Sequence, residues 1–171
     1  MEDVTQAVAI PLSQGKVAFV DAEDAHLAQW SWYAHKSGAG VWYARRAVKT
    51  TAVPSGWTTV RLHTDIMQPP RGHEVDHRDG DGLNNRRSNL RVATHRQNMA
   101  NYPLPVTNTS GFKGVWWNKK AEKWKGQIQV DGKKIHLGLF SDPTVAARAY
   151  DEAATEHFGE FAHLNFGRVG S

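Results

Sequence analysis

The segment from Val75 to Asn101 concentrates residue types that serve acid–base and metal chemistry. An acid and a histidine stand side by side at Asp76–His77, and amides follow at Asn89 and Asn98. Carboxylate and amide oxygens suit a hard divalent cation, and a neutral histidine can take a proton from water near physiological pH. Phosphodiester hydrolysis needs this combination, because a cation polarises the phosphate while a base activates the attacking water.

Two other interpretations of the segment compete with a catalytic one. Its acidic part, "DHRDGDG", could be a solvated turn followed by a solvated basic helix. A calcium loop of the EF-hand type is excluded by spacing, because Asp76, Asp79 and Asp81 do not match its ligand positions and no Glu follows before residue 122.

Short elements can bring the four candidate residues together. "HEVDH" predicts a strand, "RDGDGLNNRRS" a loop and "NLRVAT" a returning strand, and Thr94 can cap a helix that carries Asn98. In this arrangement Asp76 and Asn98 supply metal ligands, His77 is the base, and Asn89 holds the base in one orientation.

These residues carry a resemblance to a known family. Asp76–His77, Asn84–Asn85, "SNL" at 88–90 and "THRQN" at 94–98 resemble the His-Asn-His (HNH) homing endonucleases, which have a ββα-metal fold. The resemblance implies His77 as general base, Asn89 as the central Asn that positions it, and Asp76 and Asn98 as ligands of one Mg²⁺ or Mn²⁺. It also covers "LHTDIM" around His63. His63 either contributes to the site or packs in a strand, and His95 either lies near the phosphate or is simply exposed.

The C-terminal part predicts a small sheet with one helix. "FKGVWWNKK", "EKWKGQIQV" and "KKIHLGLF" are three strands, and Asp131–Gly132 is a strong signal for a two-residue hairpin. We expect Ile135, Leu137 and Leu139 to share one side of the last strand. The following helix can be capped by Asp142, begin at Pro143 and end at Gly159.

Residues 111–166 resemble a second family, the plant ethylene-response-factor (APETALA-type) DNA-binding domain, which lays a three-stranded sheet in the major groove. The carrying motifs are "FKGVWW", "KWKGQIQV", "IHLGLF" and "AARAYDEAATEHFG". Arginines usual in that family are replaced by Trp116, Asn118 and Gln129, so fewer bidentate contacts to guanine are expected. A solvated polar face is the alternative to DNA binding. The candidate DNA-binding residues are Lys113, Trp116, Asn118, Lys125, Gln127, Gln129, Lys134 and His136.

Composition narrows the class of protein. The 171 residues contain no cysteine, which excludes a disulfide framework and cysteine-ligated zinc. No apolar run predicts a membrane span or a secretory signal, so a cytoplasmic location is expected, that of the host cell for a phage protein. The net charge of +4 favours polyanionic partners only weakly. Seven tryptophans fall into an N-terminal and a C-terminal group, which suggests two small cores.

The predicted fold is therefore α+β. An N-terminal β-rich segment, with strands in "GKVAFVD", "VWYARRAV" and "WTTVRLHT", and a ββα-metal nuclease occupy residues 1–102, with the nuclease core at about 60–102. A linker follows at 103–110, and the DNA-binding domain, a three-stranded antiparallel sheet packed on one helix, occupies 111–167.

The expected function is metal-dependent, site-targeted cleavage of double-stranded DNA by a phage or mobile-element homing endonuclease, which nicks one strand as a monomer. The alternatives are a non-catalytic DNA-binding regulator and a nuclease for RNA or damaged DNA.

Overall fold

The computed structural model describes residues 7–102, 104 and 107–167, and these form ten strands and three α-helices. Tertiary contacts divide the chain into two units, one ending at His95 and the other beginning at Arg96. All four sheets are small and antiparallel. The α+β class is confirmed. Of the predicted linker 103–110, residues 103, 105 and 106 lie outside the described residues.

The first unit opens with two small sheets. β1 (Val8–Pro11) pairs with β2 (Val17–Val20), and a 3₁₀ helix, Ala22–Gln29, follows. β3 (Tyr33–Lys36), β4 (Trp42–Lys49) and β5 (Trp57–Arg61) then form a three-stranded sheet in that order. The strands predicted from "GKVAFVD", "VWYARRAV" and "WTTVRLHT" correspond to β2, β4 and β5, whereas β1 and β3 were not predicted.

The predicted third strand ends early, and a helix replaces its last residues. α1 (Leu62–Met67) begins immediately after β5 and buries Leu62 and Ile66, which are four residues apart and so lie on one side of a helix. His63 consequently lies in a helix rather than in a strand.

The candidate catalytic segment forms the expected succession of elements. β6 (His73–His77) pairs antiparallel with β7 (Leu90–Thr94), and α2 (His95–Ala100) begins directly after β7. The division between the two units falls inside α2, after His95.

One apolar core joins the N-terminal strands to this segment. β1, β2, the 3₁₀ helix, α1, β6 and β7 all contribute to it, so removing either part would expose apolar area of the other to water. The segment before α1 is therefore part of the same compact unit. The buried members include Ile10, Val20, Leu27, Trp32, Leu62, Ile66, Val75 and Leu90.

The loop between β6 and β7 is held by hydrogen bonds to the N-terminal segment. The backbone of Phe19 donates to the Leu83 carbonyl at 2.9 Å and accepts from the Asn85 amide at 2.7 Å. Arg87 donates both Nε and Nη2 to the buried carboxylate of Asp24, each at 2.8 Å. These contacts bridge more than sixty positions of sequence and set the path of the loop.

The second unit is a three-stranded sheet with a helix on one face. β8 (Val115–Asn118), β9 (Lys123–Val130) and β10 (Lys133–Phe140) are arranged in the order β10-β9-β8, and α3 (Pro143–Phe158) packs on them. The Asp131–Gly132 hairpin is confirmed, with φ of 50° and 75°, as a two-residue primed turn requires. The helix caps are also confirmed, because Asp142 accepts from the Thr144 amide at 2.6 Å and Gly159 ends α3.

A β-bulge in β10 corrects one predicted facing. His136 pairs with Gln127, but the next paired residue is Gly138, opposite Gly126, so Leu137 is an extra residue. Because side chains alternate along a strand, one inserted residue sends those after it to the other face. Leu139 therefore lies opposite Lys125 on the outer face and is 40% exposed, whereas Ile135 lies opposite the buried Ile128.

Candidate active site and nucleic-acid interface

Asp76 and His77 are the last two residues of β6, and both side chains are buried. Asp76 lies opposite Arg91 of β7, which donates Nε to Asp76 Oδ2 at 2.8 Å, with Nη2 2.7 Å from the same oxygen. A buried carboxylate is stabilised in its charged form when a cation accompanies it. The strand pairing therefore places a carboxyl group that is bound by Arg91 directly beside the candidate base.

An amide oxygen lies next to the candidate base. His77 Nε2 is 3.3 Å from Oδ1 of Asn85, which is fully buried and donates its own Nδ2 to the Leu83 carbonyl at 3.0 Å. Burial lowers the pKa of His77, against the opposing effects of the Asn85 hydrogen bond and the carboxylates of Asp79 and Asp76. The imidazole is therefore held neutral over a wider range of pH than an exposed histidine.

Asn89, which we expected to orient the base, instead holds the loop. Its Nδ2 donates to Asp79 Oδ1 at 2.9 Å and to the Asn84 carbonyl at 2.8 Å, and its Oδ1 accepts from the Asp79 amide at 3.1 Å. The Arg78 amide also donates to the Asn89 carbonyl at 2.9 Å. Asn89 thus ties together the two ends of the loop just after His77, and the amide that contacts His77 is that of Asn85.

Two further aromatic rings surround the candidate base. The His63 and His77 rings meet edge to face, with centroids 4.8 Å apart, and Tyr43 of β4 lies 5.6 Å from His63 and 5.9 Å from His77. The loop approaches Tyr43 closely at Gly82, where any side-chain carbon would collide with the Tyr43 ring and the Trp42 carbonyl. Only glycine fits this approach.

His63 is buried, and its Nδ1 has no hydrogen-bond partner among the described residues. Burial is the largest cause that lowers its pKa well below the ordinary value, and His77, Arg61 and Arg45 lower it further. The neutral imidazole follows from this cationic, desolvated environment. The sequence left the role of His63 open. It predicted neither the place of Tyr43 in the site nor the contact of Asn85 with His77, although the paired Asn84–Asn85 was a visible signal for an amide at the site.

The remaining candidates of this segment lie in α2. His95 is the first residue of the helix, its side chain is 75% exposed, and its Nδ1 is 2.8 Å from Glu74 Oε1. Asn98 is half-buried in α2 and belongs to the second unit.

The donor chemistry suits a hard cation, but the ligand set is small. Among the residues that the structure describes, no three His, Asp, Glu or Cys side chains gather as a metal site. One carboxylate and one amide, Asp76 and Asn98, are oxygen ligands of the kind Mg²⁺ uses when water and substrate phosphate complete its coordination. The types of the two residues therefore fit such an ion.

The outer face of the second unit carries most of the candidate DNA-binding residues. Gln129 lies opposite Lys134, Gln127 opposite His136, and Trp116 opposite Lys125, whose ammonium stands 5.4 Å from the Trp116 ring centroid. Strand pairing thus brings amides, cations and one indole to a single surface.

Two candidates of that set have structural roles. Lys113 donates its ammonium to the Ala100 and Tyr102 carbonyls, both at 2.7 Å, and burial lowers its pKa to about 8. Its assignment to the DNA-binding face is corrected, because Lys113 precedes β8 and its amine is already bound. Asn118 accepts from the Lys120 and Ala121 amides at 3.1 Å and so shapes the β8–β9 turn.

Comparison with known proteins identifies the class. The family model described as "HNH endonuclease" matches residues 68–100, the segment from the end of α1 through β6, the loop, β7 and α2. The "Uncharacterized HNH endonuclease L560" of Acanthamoeba polyphaga mimivirus is 31% identical over 160 residues, 89% of this chain and 76% of that protein. The chain therefore belongs to the HNH endonuclease family.

Two other relatives match smaller shares of the chain. "Protein 3.8" of Escherichia phage T7 is 43% identical over 95 residues, 56% of this chain and 78% of that protein. The "AP2-like ethylene-responsive transcription factor TOE2" of Arabidopsis thaliana is 37% identical over 62 residues, but these are only 13% of its own length. The similarity to the plant factors is thus partial. No helix among the described residues is long and apolar enough to span a membrane.

Proposed function

We propose that this protein is a metal-dependent endonuclease that hydrolyses a phosphodiester bond of double-stranded DNA. The observation that carries the proposal is the buried His77, next to the Arg91-paired Asp76 and held by Asn85, in a segment that matches the HNH model. A histidine kept neutral can accept a proton at physiological pH.

His77 acts as the general base. Asn85 Oδ1 accepts the Nε2 proton, which puts the basic lone pair on Nδ1, and His77 takes the proton of the water that attacks phosphorus. Tyr43 and His63 exclude water from one side of the ring and hold its orientation. Asn89 supports the base indirectly by fixing the loop after His77.

Asp76 and Asn98 would hold one divalent ion, Mg²⁺ or Mn²⁺. HNH endonuclease domains are in general dependent on divalent metals. When bound, the ion supplies positive charge at the phosphate and stabilises the leaving oxygen. Arg91 orients the Asp76 carboxylate through its contact with Oδ2.

The outer face of the C-terminal sheet directs the enzyme to its site. Gln127 and Gln129 offer amide donors and acceptors to base edges, whereas Lys125 and Lys134 suit phosphates. On this proposal residues 1–102 form the nuclease, 103–110 a linker and 111–167 the DNA-binding domain. A phage or mobile-element homing enzyme is the proposed setting, supported by the viral relatives.

One observation favours a second candidate, a DNA-binding regulator without catalysis. Arg91 already contacts Oδ2 of the carboxylate proposed as metal ligand. In that case the C-terminal face would bind DNA and the chain would not cut it.

Cleavage by the full-length protein decides between the two. Plasmid and genomic DNA are incubated with the protein and Mg²⁺, with EDTA as a control, and the product ends are sequenced. We expect His77→Ala to slow cleavage by about 10²–10⁴-fold, the usual contribution of a positioned general base, while DNA affinity is retained. Asp76→Ala and Asn98→Ala should lose the metal-dependent activity.

The matched control is His26→Ala, which removes an exposed histidine of the same unit and should cut at the wild-type rate. Wild-type protein that binds DNA yet leaves it intact at every Mg²⁺ and Mn²⁺ concentration would support the regulator instead.

A further inference from the structure

The sheet β3–β4–β5 has two chemically different faces. Residues that alternate with the buried Ala34 and Ala44 point away from the core, and strand register puts them on one surface. We call this surface the basic face. Its defining side chains are Tyr33, His35, Arg45, Lys49, Trp57 and Arg61.

The basic face is open to solvent among the described residues. Trp57 is 51% exposed and Tyr33 38% exposed, and Lys49, Arg61 and the intervening Ala47 are also exposed. The Lys49 ammonium stands 5.5 Å from the Trp57 ring centroid. Large aromatic rings flanked by cations on an open sheet favour contact with a polyanion rather than with an apolar protein surface.

Two arginines on this face repel each other. Arg45 and Arg61 lie directly opposite on β4 and β5, an arrangement that destabilises a sheet when like charges meet. Neither side chain forms an ion pair with any described residue, and Arg45 Nε is buried without a hydrogen-bond partner. Arg46, on the opposite face, is by contrast paired with Asp65 at 2.8 Å.

The arginine pair adjoins the candidate active site. Tyr43 lies on the same face of β4, one row of the sheet away from Arg45, and its ring contacts those of His63 and His77. Both arginines are also close enough to His63 to lower its pKa. An anion held between Arg45 and Arg61 would therefore lie beside the catalytic histidine.

We propose that the basic face is a DNA-contacting surface of the nuclease unit, in which Arg45 and Arg61 together bind one backbone phosphate next to His77. The proposal rests on the proposed nuclease function. Opposed Cβ atoms in an antiparallel sheet are about 5 Å apart, so two guanidinium groups can reach the same phosphate. That phosphate supplies the negative charge that the two guanidinium groups lack. Trp57 and Tyr33 pack against the sugar edges of the same strand.

Salt-dependent binding of the full-length protein tests this contact without any cleavage. Affinity for a fixed duplex is measured by fluorescence anisotropy in EDTA at several salt concentrations. For Arg45→Gln/Arg61→Gln we expect the slope of log K against log salt to become shallower by about 0.9, the value of one phosphate contact on B-DNA. Single-turnover cleavage at saturating DNA in Mg²⁺ should also fall, because the phosphate is no longer positioned.

The matched control removes two positive charges from the other side of the sheet. Lys16 and Lys36 both stand over the Trp42 ring, at 5.1 and 5.7 Å. Lys16→Gln/Lys36→Gln should keep the wild-type slope and cleavage rate, and thermal unfolding verifies that both double variants are folded. If Arg45→Gln unfolds the chain, the salt slope and the cleavage rate are measured on the single variant Arg61→Gln, because Arg61 is exposed.

The outcomes separate the two proposals. A wild-type slope and rate in folded Arg61→Gln and in the arginine double variant would overturn the basic face as a DNA contact, whether or not the enzyme cuts. An equal loss of slope in the lysine double variant would also overturn it, since only net charge would matter. A shallower slope specific to the arginine variants, with no cleavage by the wild type, would support the contact while refuting the nuclease function.

Discussion

At the scale of single residues, the amide of Asn85 orients His77. Its oxygen is 3.3 Å from His77 Nε2, and its own amide hydrogens are used by the Leu83 and Gly82 carbonyls, so the oxygen cannot exchange places with the nitrogen. The Asn89 side chain forms three hydrogen bonds within the loop and so stabilises the segment that carries His77 and Asn85. Replacing Asn85 should therefore change the rate of cleavage, whereas replacing Asn89 should mainly change the stability of the fold.

We expect Asn85→Ala to slow cleavage at saturating DNA by roughly 10–100-fold, the usual effect of losing a partner that orients a histidine. Asn85→Asp keeps an oxygen acceptor but adds a negative charge beside His77, which favours the protonated imidazole. Its rate should therefore rise with pH over a higher range than the wild type. Asn89→Ala should mainly lower the free energy of unfolding. A wild-type pH profile for Asn85→Asp would contradict the positioning role.

His63 makes stability depend on pH. The pKa of His63 in the folded protein is lowered, chiefly by burial. Below the ordinary pKa near 6.5, the unfolded chain therefore binds a proton at His63 that the folded chain does not bind. Stability from this group is therefore present above about pH 6.5 and lost as the pH falls, by at most about 1.4 kcal/mol per pH unit.

Urea unfolding between pH 7.5 and 5 measures this effect. His63→Phe retains an aromatic ring without a titrating group, so the wild type should lose stability relative to the variant as the medium becomes acidic. His26→Phe, at an exposed histidine, should follow the wild-type curve. Parallel curves for wild type and His63→Phe would show that His63 protonates equally well in the folded chain.

At the scale of elements, two local features decide which side chains reach the outer face of the C-terminal sheet. The bulge at Leu137 moves Leu139 to that face. There Leu139 of β10, Lys125 of β9 and Trp116 of β8 form one row across the sheet. The start of β8 only at Val115 leaves Lys113 outside the strand, where its amine binds two carbonyls. One lysine of the expected set is thus a structural residue, and one leucine joins the surface.

Lys113 and Lys134 should respond in opposite ways to the same substitution. Lys113→Gln breaks two charged hydrogen bonds of a partly buried amine and should lower the free energy of unfolding by about 1–3 kcal/mol, with no change in the salt slope of DNA binding. Lys134→Gln, at an exposed position, should leave stability within about 0.5 kcal/mol and reduce the slope by about 0.9.

Chemical unfolding and anisotropy titrations on the two variants provide both measurements. The structural role of Lys113 is wrong if Lys113→Gln reduces the salt slope and leaves stability unchanged. The DNA contact of Lys134 is wrong if Lys134→Gln lowers stability and leaves the salt slope unchanged.

At the scale of the whole molecule, the chain contains a single Asp76–His77 pair and one copy of the motif. One site attacks one phosphodiester at a time, and a second cut on the antiparallel strand needs an opposed site, as in a two-fold dimer. On the proposed function, the C-terminal DNA-binding unit is a single asymmetric module, and we therefore expect an asymmetric target and a monomer on DNA.

We therefore expect the protein to nick one preferred strand. On a supercoiled plasmid that carries the target, nicked circles should accumulate before linear product at limiting enzyme. A plasmid without the target, treated in parallel, measures background nicking. Immediate linear product with a second-order dependence on enzyme concentration would indicate a dimeric double-strand cutter.

The sequence by itself determined the elements whose signals are local. The Asp131–Gly132 turn, the Asp142 cap of α3 and the β6–loop–β7–α2 succession each depend on a few neighbouring residues, and all are present in the structure. The same is true of the catalytic candidates, since Asp76 and His77 are adjacent in the chain and need only a strand to present them together.

Only the tertiary structure decided which distant groups meet. The sequence predicted Asn89 as the partner of His77, whereas the structure places Asn85 against the ring. The backbone contacts of the loop with Phe19 and the close approach of Gly82 to Tyr43 set the path of the loop that brings Asn85 there. The opposition of Arg45 and Arg61 likewise depends on the register of β4 and β5. Such contacts join residues far apart in the chain, and their geometry follows from packing and register, in which a shift of one residue reverses every facing side chain.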